Sequence, residues 1–181
     1  MSAPGRGGRQ AAPSRRGERP AAAPGRVRRG TAPGTELVVC AGSPLGPLGL
    51  ATCYDLRFPE MSQALVHDMG ARTLLYPSAF TVPTGAAHWE VLLRARAIES
   101  QAFVVAAAQV GRHNDKRESY GHAMVVDPWG RVLLDMGGEG AGIGVVDIDL
   151  GEVDRVRSKM PCTAHRNKGK AGVINWPAGG E

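Results

Sequence analysis

No apolar run in this 181-residue sequence is long enough to span a bilayer, and its N-terminus lacks the apolar core of a secretory signal. Cysteine is scarce. Cys40, Cys53 and Cys162 are an odd number without C-x-x-C spacing, which argues against a disulfide framework and a structural zinc site. The same usage suits a reducing compartment, so a cytoplasmic location is expected. His88, His113, His122 and His165 are scattered without ligand spacing, and no metal is expected. There is no G-x-S-x-G elbow to support Ser119, Tyr120 and His122 as a serine-hydrolase cluster. Gly137–Gly142 fails the G-x-G-x-x-G spacing, so it reads as a loop rather than a phosphate cradle. No internal repeat is apparent.

Residues 1–35 also hold almost nothing apolar of any size. They hold eight arginines against Glu18 alone, a balance of +7, so the rest of the chain carries −2 of the total +5. Such a stretch cannot bury enough surface to offset the entropy of ordering, and a disordered head is predicted over 1–35. Its Arg-rich, acid-poor composition keeps a mitochondrial location as the alternative. Pro4, Pro13, Pro20 and Pro24, however, break the amphipathic helix that a presequence needs. Aromatic residues that would stack on nucleobases are missing, so nucleic acid is not an expected partner.

What the remainder has is a 43% hydrophobic composition overall, enough for a core, and a regular alternation of elements. Leu37–Cys40 and Leu48–Cys53 read as short strands. Arg57-Phe58-Pro59-Glu60 opens a helix with Met61, Leu65 and Met69 on one stripe, closed by Gly70. Thr73–Tyr76 is another apolar strand. A second helix is predicted over about Ala86–Gln101, with Trp89, Leu92, Leu93 and Ala97 as a core or dimer-interface stripe and with Arg94 and Arg96 suiting its later turns. Ala102–Val110 is a third buried strand, so the order calls for parallel pairing with helices packed on a sheet. A polar loop, Gly111–Gly121, precedes a hairpin of His122–Asp127 and Arg131–Met136 about Pro128-Trp129-Gly130. The Gly-rich loop Gly137–Gly142 leads to Val145–Leu150, and a short charged helix follows from about Glu152 to Lys159. The predicted domain spans 36–166, and 167–181 is expected to be a loose tail.

The chemistry concentrates in Cys53-Tyr54-Asp55-Leu56-Arg57-Phe58-Pro59-Glu60. A cysteine at the carboxyl end of a buried strand lies where parallel sheets place their sites. A tight strand-to-helix turn there would present the thiol beside backbone N–H groups, an oxyanion hole in which the Tyr54 amide is the expected donor. A buried, unreactive cysteine fits the same pattern, and the residues alone leave that alternative open. Asp55, Arg57 and Glu60 read equally as substrate contacts or as an ion-pair network at the helix start.

That octapeptide resembles the nucleophile signature of the nitrilase (carbon–nitrogen hydrolase) superfamily. The resemblance continues through Tyr76-Pro77-Ser78-Ala79-Phe80, His88-Trp89-Glu90, Arg94 to Glu99, Tyr120-Gly121-His122 and Asp127-Pro128-Trp129-Gly130, covering roughly Gly46 to Arg166. Among its branches it looks most like the deaminated-glutathione and omega-amide amidases. The resemblance implies an α/β fold, an α-β-β-α sandwich of which this is roughly the C-terminal half. It also implies cofactor-free hydrolysis of the C–N bond of a small carboxylated amide, with Cys53 forming the thioester, and homo-oligomers in intact relatives. In that family the cysteine works with glutamates and a lysine that precede it. Here the only acids before Cys53 are Glu18 and Glu36, and the first lysine is Lys116. An inactive chain is therefore expected, either as a catalytically dead partner or as a misjoined partial product.

Overall fold

The computed structural model describes residues 34–166. The predicted head, except Gly34 and Thr35, and the predicted tail over 167–181 lie outside the described residues.

The strands are β1 (Val38–Cys40), β2 (Leu48–Leu50), β3 (Thr73–Leu75), β4 (Phe103–Ala106), β5 (Val110–Asn114), β6 (Arg117–Tyr120), β7 (Met124–Val126) and β8 (Val132–Asp135). Six of them make one mixed sheet in the order β1-β2-β3-β4-β7-β8. The centre, β2-β3-β4, is parallel, as the alternation of strand and helix requires. β1, β7 and β8 join antiparallel at the flanks. β5 and β6 form a separate two-stranded hairpin.

The register lines Leu74, Val104 and Val126 in one row, with Tyr76, Ala106 and Met124 on the same side. Those side chains are buried in one cluster with Leu65 and Val66 and with Trp89, Leu93 and Ala97 of α2 (Val82–Ser100). Gly49 belongs to this row. A Cβ there would come within 2.8 Å of Leu74 and 3.2 Å of Leu65, so its lack of a side chain lets the helical layer close on the sheet.

Several elements depart from the sequence expectation. The helix after Cys53 is not continuous: a 3₁₀ turn, Cys53–Arg57, leads into α1 (Pro59–Gln63) and then a π-type turn, Ala64–Asp68. Leu65 is buried as expected, with Ser62 and Val66 beside it, while Met69, beyond the wider turn, is exposed. Gly70 ends the segment as expected, with φ +79 and its N–H on the Val66 carbonyl. α2 starts four residues earlier than the pattern suggests, because Pro83 in a first turn has no N–H to lose. Arg96 turns inward rather than to solvent. It is 4% exposed, donates from Nε to the Leu56 carbonyl at 3.0 Å, and pairs with Glu99 at 3.0 Å.

The polar loop expected over Gly111–Gly121 is the β5–β6 hairpin. Its polarity reflects strands exposed beyond the sheet, and Asn114 fixes the turn by accepting the Lys116 N–H at 2.9 Å. Ala102–Val110 is interrupted after Ala106, and residues 107–109 keep the β3–β4 register beside Ser78 as an isolated parallel bridge. Residues 145–150 make no ladder, and Leu150 already turns into the helix that follows. Val145 is 88% exposed and its neighbour Ile143 93% exposed. The charged helix follows as α3 (Gly151–Lys159), and a last turn, α4, spans Cys162–His165. Among the described residues no helix is long and apolar enough to cross a membrane.

Candidate active site

The three parallel strands run on past their ends toward one edge. Ala51 N–H donates to Leu75 O at 3.1 Å and Cys53 N–H to Pro77 O at 3.0 Å, while Tyr76 N–H bonds Val105 O and Ser78 N–H bonds Ala107 O at 2.8 Å. The carboxyl ends of β2, β3 and β4 thus converge, which is where an open parallel sheet places its crevice. An open cleft of about 560 Å³ lies there, lined by Thr52–Cys53, Pro77–Ala79, Ala107–Gln109 and Arg117.

Cys53 is half-buried, free of any disulfide, and has a left-handed backbone with φ +45. Such a conformation is uncommon for a residue with a side chain and persists only where its surroundings fix it. Here they do. The Cys53 amide is held by Pro77, Asp55 turns back to accept the Thr52 N–H at 2.9 Å, and the Asp55 N–H closes the first turn on Thr52 O at 2.9 Å. The strand therefore becomes a 3₁₀ turn within two residues, with the thiol at the corner. With the Cys53 amide committed, the Tyr54 amide is the next in line, ahead of the first turn bond made by Asp55. The Tyr54 ring is 66% exposed and meets Phe58 edge-on at 5.7 Å.

The expected ion-pair network of Asp55, Arg57 and Glu60 does not form among the described residues. Asp55 serves the turn, and the Arg57 guanidinium lies over the rings of Phe80 at 5.2 Å and Tyr54 at 5.6 Å, with His88 Nδ1 at 3.4 Å. Cation–ring contact replaces charge pairing because the hydrophobic Phe80 and Tyr54 flank the turn. The Ser119, Tyr120 and His122 grouping also separates. Ser119 Oγ bonds His113 Nε2 at 2.8 Å, whereas His122 stacks on Tyr120 and places Nδ1 3.0 Å from both Asp135 oxygens. Trp89 is core, with Nε1–H donated to His122 O at 2.7 Å; Leu93 is buried beside it and Leu92 partly so.

Behind the cleft, the Tyr76 hydroxyl and Ser62 Oγ share a buried hydrogen bond of 2.6 Å, and burial pushes the phenol above its ordinary range. Among the described residues, no three His, Cys, Asp or Glu side chains gather as a metal site would need. Sequence reasoning missed Arg117, Ser78 and Gln109 as cleft residues. Arg117 lay in a stretch read as loop; only the alternation of Arg117, Ser119 and Gly121 with their neighbours could have marked a strand there.

Comparison with known proteins agrees with this geometry. The carbon–nitrogen hydrolase family model matches residues 11–158. A deaminated glutathione amidase of Bos taurus is 52% identical over 160 residues, 88% of this chain and 48% of the relative. The chain thus spans about half the length of that relative. The crystal structure of the Caenorhabditis elegans NitFhit protein superposes with a TM-score of 0.70 at 50% identity, covering 80% of this chain and 35% of that one. An amidase from Nesterenkonia, solved as a glutamate-to-glutamine mutant with acrylamide added to its active-site cysteine, superposes at 0.57 with 31% identity, covering 74% of this chain and 51% of the other.

Proposed function

This chain belongs to the carbon–nitrogen hydrolase family, and from that membership we propose that Cys53 is the nucleophile for hydrolysing the C–N bond of a small carboxylated amide of the deaminated glutathione type. The observation that carries the reading is the left-handed elbow at Cys53, which presents a free thiol in the cleft where three parallel strands end. A neighbour's active-site cysteine that adds acrylamide supports it, because that reaction needs an accessible, nucleophilic sulfur.

In the first half of the reaction Sγ, as thiolate, bonds to the amide carbon and moves the carbonyl electron pair onto oxygen, where the Tyr54 N–H would stabilise it. The C–N bond breaks as nitrogen takes a proton and leaves as ammonia or an amine. Water then adds to the thioester carbon, the C–S bond breaks, and the acid and thiol are released. Each half needs a proton carrier, and no lysine lies ahead of Cys53 while Glu18 and Glu36 are the only acids there. An ordinary thiol at pKa ~8.5 is only a few per cent thiolate at neutral pH. Missing a general base costs on the order of 10²–10⁴ in rate, and a missing charged oxyanion partner about 10²–10³ more.

That deficit favours a second reading, in which the chain as it stands is a catalytically silent partner. The two are separated by one set of assays. The unmodified chain is expected to show no turnover of deaminated glutathione or of simpler omega-amides. Joining the N-terminal half of a homologous amidase ahead of about Gly46 should restore it, and Cys53→Ala should then abolish it. Cys40→Ala and Cys162→Ala, both at exposed cysteines, should leave the rate within a few-fold. A joined protein still active after Cys53→Ala would overturn the nucleophile assignment, and turnover by the unmodified chain would overturn the silent reading.

A further inference from the structure

Among the described residues that wall the Cys53 cleft, Arg117 alone carries a charge. The nearby arginines are committed elsewhere: Arg57 to two rings and His88, Arg96 to Leu56 and Glu99, Arg112 to Asp115. Arg117 has no ion pair or side-chain hydrogen bond among the described residues. It sits at the start of β6, where alternation puts its side chain on the side of buried Ser119 and turns Glu118 to the other. The hairpin is fixed to the cleft wall by Tyr120 N–H on Phe80 O at 2.9 Å, Gly121 N–H on Gln109 O at 3.1 Å, and a bridge between Thr81 and Ser119. A planar guanidinium with five donors, unspent beside an otherwise neutral cleft, matches a carboxylate in two-point contact.

We infer that Arg117 is the anion-recognition residue of this cleft, holding the carboxylate of an acidic amide so that its amide carbon faces the Cys53 sulfur. It selects carboxylated over neutral amides and takes no part in bond making. The inference rests on Cys53 being the nucleophile, but it can be tested without turnover, on the chain as it exists.

The test compares alkylation by iodoacetate, an anion, with alkylation by neutral iodoacetamide, read at each cysteine by peptide mass spectrometry. Cys40 and Cys162 are exposed and free, so they serve as references in the same molecule. The iodoacetate-to-iodoacetamide rate ratio at Cys53, divided by that at the references, cancels any change in thiolate population, which moves both rates alike. Arg117→Ala should lower this ratio about three- to ten-fold at low ionic strength, Arg117→Glu should lower it further, and Arg117→Lys should keep most of it. About 0.5 M salt should erase much of the wild-type preference. A ratio unchanged in both Arg117→Ala and Arg117→Glu, in chains that melt like the wild type, overturns the inference. Loss of the ratio's dependence on Arg117 leaves the nucleophile standing if Cys53→Ala still abolishes turnover in the joined protein, so the two failures are told apart.

Discussion

On one face of the six-stranded sheet, Leu74, Val104 and Val126 form a row sealed by α2 and the segment after Cys53. On the other, the row that runs Leu50, Leu75, Val105, Val125 and Leu134 grades from buried Val125 to Leu50 at 40% exposed. The side chains are of one kind on both faces, and only their surroundings differ. β3 and β4 read as unbroken apolar runs rather than alternating ones, the pattern of strands covered on both sides. The described residues cover one side fully and the other in part. A pattern of residues therefore states what a strand needs, and the described residues meet that need on one face more fully than on the other.

Mutations on the two faces should accordingly cost very different amounts. Trp89→Ala, on the sealed side, should destabilise by ~3–5 kcal/mol in urea titration. A loss under about 1 kcal/mol would mean that α2 is not packed as described. Gly85→Ala sharpens the same side. A Cβ at Gly85 would collide with the Tyr120 ring, so helix and hairpin must separate, and a cost of ~1–3 kcal/mol is expected, with the β5–β6 hairpin exchanging hydrogen faster.

A smaller effect comes from His67, in the turn at the outer edge of the sealed layer. Burial first, then Arg166 and Arg157, lower its pKa to about 4 from the ordinary 6.5, and its Nδ1 meets Thr163 Oγ1 at 3.0 Å. The folded chain binds this proton less readily than the unfolded one, so its contribution is complete above about pH 6.5 and is lost as pH falls toward 4. His67→Gln should flatten the stability curve across that window, and an unchanged curve would show that the ring is solvated. The least costly change is on the open face: Leu50→Ser should move stability by no more than ~0.5 kcal/mol. It should also lower self-association seen by light scattering at raised concentration, since exposed apolar sheet invites contact. A large loss of stability would show that the open face is covered after all.

The central parallel sheet, the Gly70 stop and the turn at Pro128-Trp129-Gly130 were legible because each rests on local chemistry. At the last of these, Asp127 Oδ1 accepts the N–H of both Trp129 and Arg131 at 2.9 Å. At Cys53 the residues alone fitted an unreactive buried cysteine as well as a nucleophile, and it was the resemblance of the octapeptide to the nitrilase signature that singled it out. Arg96 was not legible, because helical periodicity sends charges outward and nothing local reveals a carbonyl forty residues away that needs a donor. Arg117 was hidden for a related reason: the inward side of β6 is marked by Ser119, a polar residue, so no apolar alternation announces the strand. The π-type turn after α1 likewise leaves no mark in composition, and Met69 beyond it is exposed.

The backbone at Cys53 also decides which chemistries this corner can exchange. A φ of +45 is strained for any residue with a side chain, costing roughly 1–2 kcal/mol, and is a true outlier for one branched at Cβ. Serine differs from cysteine only at the γ atom and fits the corner; threonine carries a second heavy atom on Cβ and does not. Of the two hydroxyl residues, then, one is sterically admitted and the other barred. The elbow acts as a filter on inheritance: variation at this position can trade sulfur for oxygen, but only through residues that leave the corner unbranched.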